Sequence, residues 1–333
     1  MPKEITHILL GDKMLSGLSN NARQAIENNI NIFYFGTMSP DLFYYDVRLP
    51  FEKIPSAEVF AEHIHGRSGN SNMDHVYLML ERARTLDQGD RYFAFVAGYL
   101  SHVAADTFFH PMIYSITGNY YAESALDRLL AQCRHRVYES SLDLHLLNQT
   151  SQSLEEFDMP GKLKLPNDFK NKLIPFFADV LRDTFDPTFP LQPAAFRAVR
   201  KSRFLQTLMV SRRAYRFFSY LNRLASYEYD FFINLFYPET PASIEFETSK
   251  TTPHPVSGKP YKRDVKFLTR QAIKRGENFI QSAWDFYKGK INKQKVIQAI
   301  PPLSLNNGIP NMPVSRMLKY KILPGIESFR NQE

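Results

Sequence analysis

Residues 98–111 read GYLSHVAADTFFHP, an apolar run interrupted by His102, Asp106 and His110 at steps of four. On an α-helix, residues four apart lie one above the other on one face. The run therefore points three metal-binding side chains in one direction. A second pair at the same step, His135 and Glu139, follows 25 residues after His110 and can face the first set from another helix. Neutral imidazole and carboxylate are good ligands for zinc and related divalent ions. The bland alternative is a set of unrelated polar residues on helices. Against it, burying such groups unpaired costs several kcal/mol, roughly, and His102 and Asp106 sit in a stretch too apolar to be a surface.

Outward from this run, most of the chain carries helical spacing. Met73–Leu86 has one apolar stripe at 73, 76, 79, 80 and 83. Arg91–Phe109 is nearly all apolar and should be buried, with Pro111 limiting how far it runs. Further helices are expected over Asn20–Asn29, Ala122–Leu147, Asn171–Phe185, Pro193–Leu208, Ser211–Tyr237 and Val265–Lys288. Thr37–Ser56 has three prolines among clustered aromatics and reads as an ordered loop, and Pro238–Arg263 as an extended connection. The last ~35 residues read as loosely structured. The pattern predicts an all-α fold: a single helical domain over 1–298, with a ligand-bearing part (1–150), a basic part (151–298) and a C-terminal tail (299–333).

Charge divides the same way. Residues 1–150 hold 12 Lys+Arg against 17 Asp+Glu, and the remainder holds 29 against 17. An acidic, histidine-rich half suits cations, and a basic half suits an anionic partner such as phospholipid head groups or nucleic acid. In the basic half, Arg197, Arg200, Lys201, Arg203, Arg212, Arg213, Arg216 and Arg223 interleave with Phe204, Tyr215, Phe217, Phe218 and Tyr220. Peripheral membrane contact would use such a stripe; core packing of the aromatics is the simpler reading. The lone Cys133 excludes an internal disulfide framework and a cysteine-rich zinc site. The longest apolar run, Tyr92–Leu100, is too short to span a bilayer. With no signal-peptide pattern at the start, a cytoplasmic location is expected.

Other candidates are weaker alone. His7 lies in EITHILL, and Asp41 follows Pro40 in the aromatic loop. His63 and His65 form an H-x-H pair that could reach one metal from a strand or extended loop. His75 and His145 read as structural, and His254 as a loop residue.

The order of these motifs is more specific than any one of them. Thr6-His7, Pro40-Asp41, His65-Gly66, the G-Y-x-x-H-x-x-x-D run to Asp106, His110-Pro111 and the H-x-x-x-E from His135 to Glu139 together resemble the zinc-dependent phospholipase C family. That family shares an all-helical, trinuclear-zinc fold with the single-strand-specific zinc nucleases. HPVSGKP at 254–260 resembles a loop of bacterial members. The resemblance implies two or three zinc ions. His65, His102 and Asp106 would hold one; His110, His135 and Glu139 a second; His7 and a bridging Asp106 would share a third. Asp41 would be the general base, and hydroxide generated at the metal would attack phosphorus. A phospholipid or another phosphodiester would be the substrate, giving diacylglycerol and a phosphorylated head group from a phospholipid. The sequence departs from secreted members, which use a mature N-terminal Trp as ligand: residue 1 is Met, and Trp284 is the only tryptophan. A nuclease on the same core, or a non-enzymatic protein stabilised by metal, would use the same residues.

Overall fold

The computed structural model describes residues 3–46, 56–69, 73–186, 188–225, 230–239, 241–324 and 326. The described chain is all-α apart from one two-stranded hairpin. Its helices are α1 (Glu4–Leu15), α2 (Asn20–Glu27), α3 (Ile30–Met38), α4 (Glu58–Ile64), α5 (Asp74–Ala83), α6 (Gly89–Thr117), α7 (Ala125–Asn148), α8 (Leu154–Phe157), α9 (Met159–Lys162), α10 (Asn167–Phe185), α11 (Leu191–Met209), α12 (Arg212–Leu224), α13 (Asp230–Ile233), α14 (Val265–Tyr287) and α15 (Lys293–Ala299). The hairpin pairs β1 (Thr251–Pro253) with β2 (Pro260–Lys262) in antiparallel register. No helix among the described residues is long and apolar enough to cross a membrane.

Helix α6 is the axis of the molecule. It is buried on all sides from Tyr92 to Thr107 and again from Phe109 to Thr117. It packs chiefly against α3 and α14, with α1, α2, α5 and α7 completing the jacket. Helices α1 and α3 escape a reading by periodicity because they have no polar face. Every residue from Glu4 to Gly11 and from Ile32 to Met38 is buried, so the polar–apolar alternation that marks a surface helix is missing.

Four local expectations are corrected. Pro111 does not end its helix: α6 runs on to Thr117. A proline inside a helix leaves the carbonyl four residues back without its usual donor. Here that carbonyl, on Thr107, lies against Gly308, whose φ is +70° and where a Cβ would sit 2.5 Å from the oxygen. The aromatic loop contains a 3₁₀ helix, Ser39–Tyr45; its residues 47–55 lie outside the described chain. The stretch 211–237 divides into α12 and α13 instead of one helix, with 226–229 outside the described residues. The described part of the segment after Ala299 is not loose: Ile300, Leu305, Asn306 and Asn307 are at most 1% exposed. Its apolar side chains fill the end of the core, and its backbone reaches the candidate site.

The crossing of α3 and α6 fixes that site. A Cβ on Gly98 would stand 2.0 Å from the carbonyl oxygen of Phe33, and one on Gly36 would stand 2.3 Å from that of Phe95. Only glycine at both positions lets the two backbones touch. The close approach brings the Thr37 carbonyl, at the open C-terminal end of α3, within 2.8 Å of His102 Nδ1. Gly98→Ala is expected to destabilise the protein by about 3 kcal/mol, because neither backbone can yield without opening the core. It should also weaken zinc binding by displacing His102. Thermal melts and zinc titrations of the variant check this, and wild-type behaviour in both would contradict it.

Candidate metal centre

Helix α6 delivers His102, Asp106 and His110 on one buried face, each 0% exposed. Helix α1 brings His7, and α7 brings His135 and Glu139. Asp41 comes from the 3₁₀ helix after α3, and His65 from the C-terminal end of α4. An otherwise distant contact ties the two flanking helices together. Asp143 of α7 accepts hydrogen bonds from the amides of Ile5 (3.2 Å) and Thr6 (2.9 Å), from the Thr6 hydroxyl (2.5 Å) and from the Tyr237 hydroxyl (2.6 Å). The carboxylate thus satisfies donors at the N-terminus of α1, where the helix dipole favours negative charge.

All the candidate side chains converge. His7, His102 and Asp106 form one group whose ligand atoms lie within 4.8 Å of one another; Asp41, His65 and His102 form a second; His110, His135 and Glu139 form a third. Asp106 stands at the middle. Its Oδ1 is 3.4 Å from His7 Nε2, and its Oδ2 is 2.9 Å from His102 Nε2 and 3.7 Å from His65 Nε2. Asp41 Oδ1 lies 3.2 Å from His65 Nε2 and 3.8 Å from His102 Nε2. In the third group His135 Nε2 and Glu139 Oε1 are 2.9 Å apart. A tetrahedral ion with ligands about 2.0–2.1 Å away separates those ligands by about 3.3 Å, so these spacings match.

Backbone carbonyls set which ring nitrogen is available. His65 Nδ1 meets Ala61 O at 2.7 Å, His102 Nδ1 meets Thr37 O at 2.8 Å, and His110 Nδ1 meets Leu305 O at 2.6 Å. A carbonyl only accepts, so each Nδ1 carries a hydrogen and each Nε2 faces the cluster, where it can offer a lone pair to a metal or hold a proton. The buried Nε2 atoms of His7, His65, His102 and His110, with both Asp106 oxygens and Asp41 Oδ1, make no hydrogen bond. Lone pairs facing carboxylates in a dry interior repel unless a cation or a proton lies between them. The residues present therefore fit a metal.

The ionisation states agree. Burial pushes the pKa of His110 and His135 well below the usual imidazole value and lowers that of His7, which leaves three neutral rings. His102 differs: burial opposes its charge, but the Asp106 and Asp41 carboxylates outweigh burial and raise it to about 9. Burial also opposes the charge on Asp106, and His102 and His110 overcome that and hold its pKa well below the usual range.

Of the H-x-H pair, one histidine stands in the cluster and the other outside it. Residues 58–64 are helical, not extended, and positions two apart on a helix point to nearly opposite sides. His65 faces Asp106, whereas the His63 ring packs beside Phe185 at 5.3 Å. His75 is buried against the Tyr99 hydroxyl at 2.6 Å, and His145 stacks on Phe246. His254 Nδ1 accepts from the Val256 amide, so its Nε2 donates to Asn307 O at 3.0 Å and pins the hairpin to the tail.

Several residues that shape the site carry no signal in the sequence. Asn306 donates to the His65 carbonyl at 2.8 Å and accepts from the Tyr114 and Tyr121 hydroxyls at 2.8 and 3.1 Å. The carbonyls of Thr37, Ala61 and Leu305 act through backbone that any residue type would supply. Tyr44, Tyr114 and Tyr120 set their rings 4.9–5.4 Å from His65, His135 and His110, making an aromatic wall. Arg197, grouped by sequence with the surface cations, is instead buried in a two-pronged pair with Asp46 at 2.6 Å on each prong.

An all-α bundle with imidazole and carboxylate groups gathered between its helices is a scaffold that could hold metal. Residues 6–185, more than half of the chain, match the family described as zinc dependent phospholipase C, and the chain belongs to that family. Every candidate side chain above falls inside the matched segment. Membership implies a zinc-dependent hydrolase. No curated protein and no solved structure matches the chain.

Protons and zinc must compete for His102 Nε2. In the metal-free protein the raised pKa stabilises the fold fully below the unfolded value of 6.5, and the benefit is lost as pH rises through about 9. Zinc binding displaces that proton, so affinity should climb over the same interval and about one proton should be released per loading near pH 7. Melting temperatures of chelated and zinc-loaded protein should therefore diverge from pH 7 to pH 9, as calorimetry in buffers of different ionisation enthalpy should confirm. Parallel curves with no proton release would contradict the account.

Proposed function

We propose that this protein is a zinc phosphodiesterase acting on a phospholipid-type diester. The observation that carries the reading is the position of Asp106, whose Oδ1 faces His7 while its Oδ2 faces His65 and His102. A carboxylate placed in that way can bridge two ions. His102 has only Nε2 to offer, since Nδ1 is held by Thr37, so it serves one ion. His65, His102 and Asp106 would hold that ion, and His7 would share Asp106 with another. His110, His135 and Glu139 would hold a further one. Zinc bound there would polarise the phosphoryl oxygen and lower the pKa of the attacking water.

The protein's own groups orient and deprotonate. Of the two aspartates that face His102, Asp106 has a fully buried side chain, whereas that of Asp41 is 12% exposed. Asp41 can therefore meet a substrate water, and we assign it the role of general base. It would take the proton of the attacking water as the new P–O bond forms and the bond to the glycerol oxygen breaks. Diacylglycerol then leaves as the alcohol, its oxygen taking up the proton that Asp41 removed from the water, and the head group keeps the phosphate. The half-buried Tyr44, Tyr120 and Tyr121 lie at the edge of the cluster; burial raises their pKa and keeps them neutral, so they do not repel an anionic diester.

Two substitutions separate these roles. Asp41→Asn should keep its zinc and lower kcat by about 10²–10⁴-fold, the usual share of a general base. Asp106→Asn should lose both zinc and turnover. Release of diacylglycerol from phosphatidylcholine, compared with cleavage of a nitrophenyl diester and of single-stranded DNA, reports the substrate class. A zinc-replete protein inert toward all three would refute the proposal, as would undiminished activity in Asp106→Asn; action on DNA alone would transfer the same site to a nuclease.

A further inference from the structure

Helix α12 wears its apolar stripe outward. Its inner face seats Phe218 against Phe232 and Phe236, at ring distances of 5.4 and 5.6 Å, and buries Asn222. On the opposite face Phe217 is 58% exposed, Tyr220 60%, Leu221 41% and Leu224 67%, and the nearby Phe204 of α11 is 67% exposed. Positions 213, 217, 220 and 224 advance by four, three and four, so they form one row along the helix. The expectation that the aromatics of this stretch pack in the core fails for Phe204, Phe217 and Tyr220.

Exposed large apolar side chains in one row are unusual on a soluble surface and mark a place of interaction. Here they are set among cations. Residues 191–224 contain eight Lys+Arg and no Asp or Glu; of the eight, Arg197 is buried against Asp46 and is not part of this surface. Arg213 lies in the apolar row, Arg216 and Arg223 flank it, and all three are exposed. Arg216 is paired with Glu239 and Arg212 with Glu155 (3.3 Å), so part of this charge is met within the protein.

We propose that α12, with the end of α11, is a docking surface for an anionic phospholipid bilayer. Phe and Leu side chains enter the boundary between head groups and acyl chains, tyrosine rests at that boundary, and arginines reach back to lipid phosphates. Each cation near an anionic leaflet adds about 1 kcal/mol. A second copy of the chain is a poor occupant, because two such faces would oppose like charges. Single-stranded nucleic acid would use the arginines and rings but has no use for Leu221 and Leu224. The surface also bears on the site: α12 sits on α13, where the Phe231 carbonyl accepts from Arg136 of α7 at 2.9 Å, next to His135. It lies beyond the family-matched residues 6–185. The surface adds to the proposed phospholipid chemistry but does not depend on it, because binding is read without turnover.

The test is co-sedimentation of the full zinc-loaded chain with vesicles of phosphatidylcholine alone or of equimolar phosphatidylcholine and phosphatidylglycerol. The protein should pellet with the mixed vesicles, much less with the neutral ones, and salt should release it. Phe217→Ser with Leu224→Ser should lower partitioning by about tenfold or more, and Arg203→Glu with Arg213→Glu should lower it as well. Both double variants should keep wild-type melting curves and wild-type cleavage of a soluble nitrophenyl diester, since these side chains face outward and lie outside the site. Absence of wild-type partitioning into the mixed vesicles overturns the proposal, as does unchanged partitioning in the Phe217/Leu224 variant. Capture of single-stranded DNA without vesicle binding, or a dimer that the same substitutions dissolve while vesicle binding persists, would also overturn it. Inactivity toward every diester with intact vesicle binding would instead remove the catalytic reading and leave the docking surface standing.

Discussion

A carboxylate at the centre of a dry helical bundle has to be answered by positive charge. Asp106 is wholly buried, its two oxygens make no hydrogen bond, and four histidines crowd around it. An isolated ionised carboxylate there would cost far more than a folded domain can spare. Much of the surrounding structure serves to make that position tolerable. Glycines at 36 and 98 allow α3 to touch α6 and present a carbonyl to His102. Asp143 holds the start of α1 so that His7 arrives opposite Asp106. The tail presents Leu305 to His110 and Asn306 to the His65 carbonyl. These contacts orient lone pairs toward a common space, and a cation in that space turns their mutual repulsion into binding.

The parts of this design that were legible in the sequence are those that repeat within one helix. The steps of four from His102 to His110 and from His135 to Glu139 survive in the structure because α6 and α7 are regular there. What was not legible arises between elements. His63 and His65 look equivalent in the sequence, and only the helical geometry of α4, which turns one of them away, separates them. Helices α1 and α3 have no polar face to give them a period. Pro111 would stop a solvent-exposed helix; α6 continues because tertiary packing holds both sides of the interruption and the tail covers the freed carbonyl. Arg197 resembles its neighbours in a basic stripe, but the partner that buries it, Asp46, lies 151 residues earlier.

The family match and the structure divide the chain differently. The matched residues 6–185 supply every candidate ligand, while the remainder supplies the groups that set two of them: α14 flanks α6, and the segment after α15 carries Leu305 and Asn306. The later part therefore belongs physically to the site although it lies outside the matched segment. It also carries most of the excess positive charge, concentrated where α11 and α12 reach the surface.

The central claim is that the space around Asp106 is built for metal. Crystals of the zinc-loaded protein, with diffraction recorded on both sides of the zinc absorption edge, test it most directly. The account predicts anomalous peaks between Asp106 and the Nε2 atoms of His7, His65 and His102, and a further peak among His110, His135 and Glu139. A folded, zinc-exposed protein with no peak in that cluster, its carboxylates and imidazoles joined by protons or water instead, would contradict it.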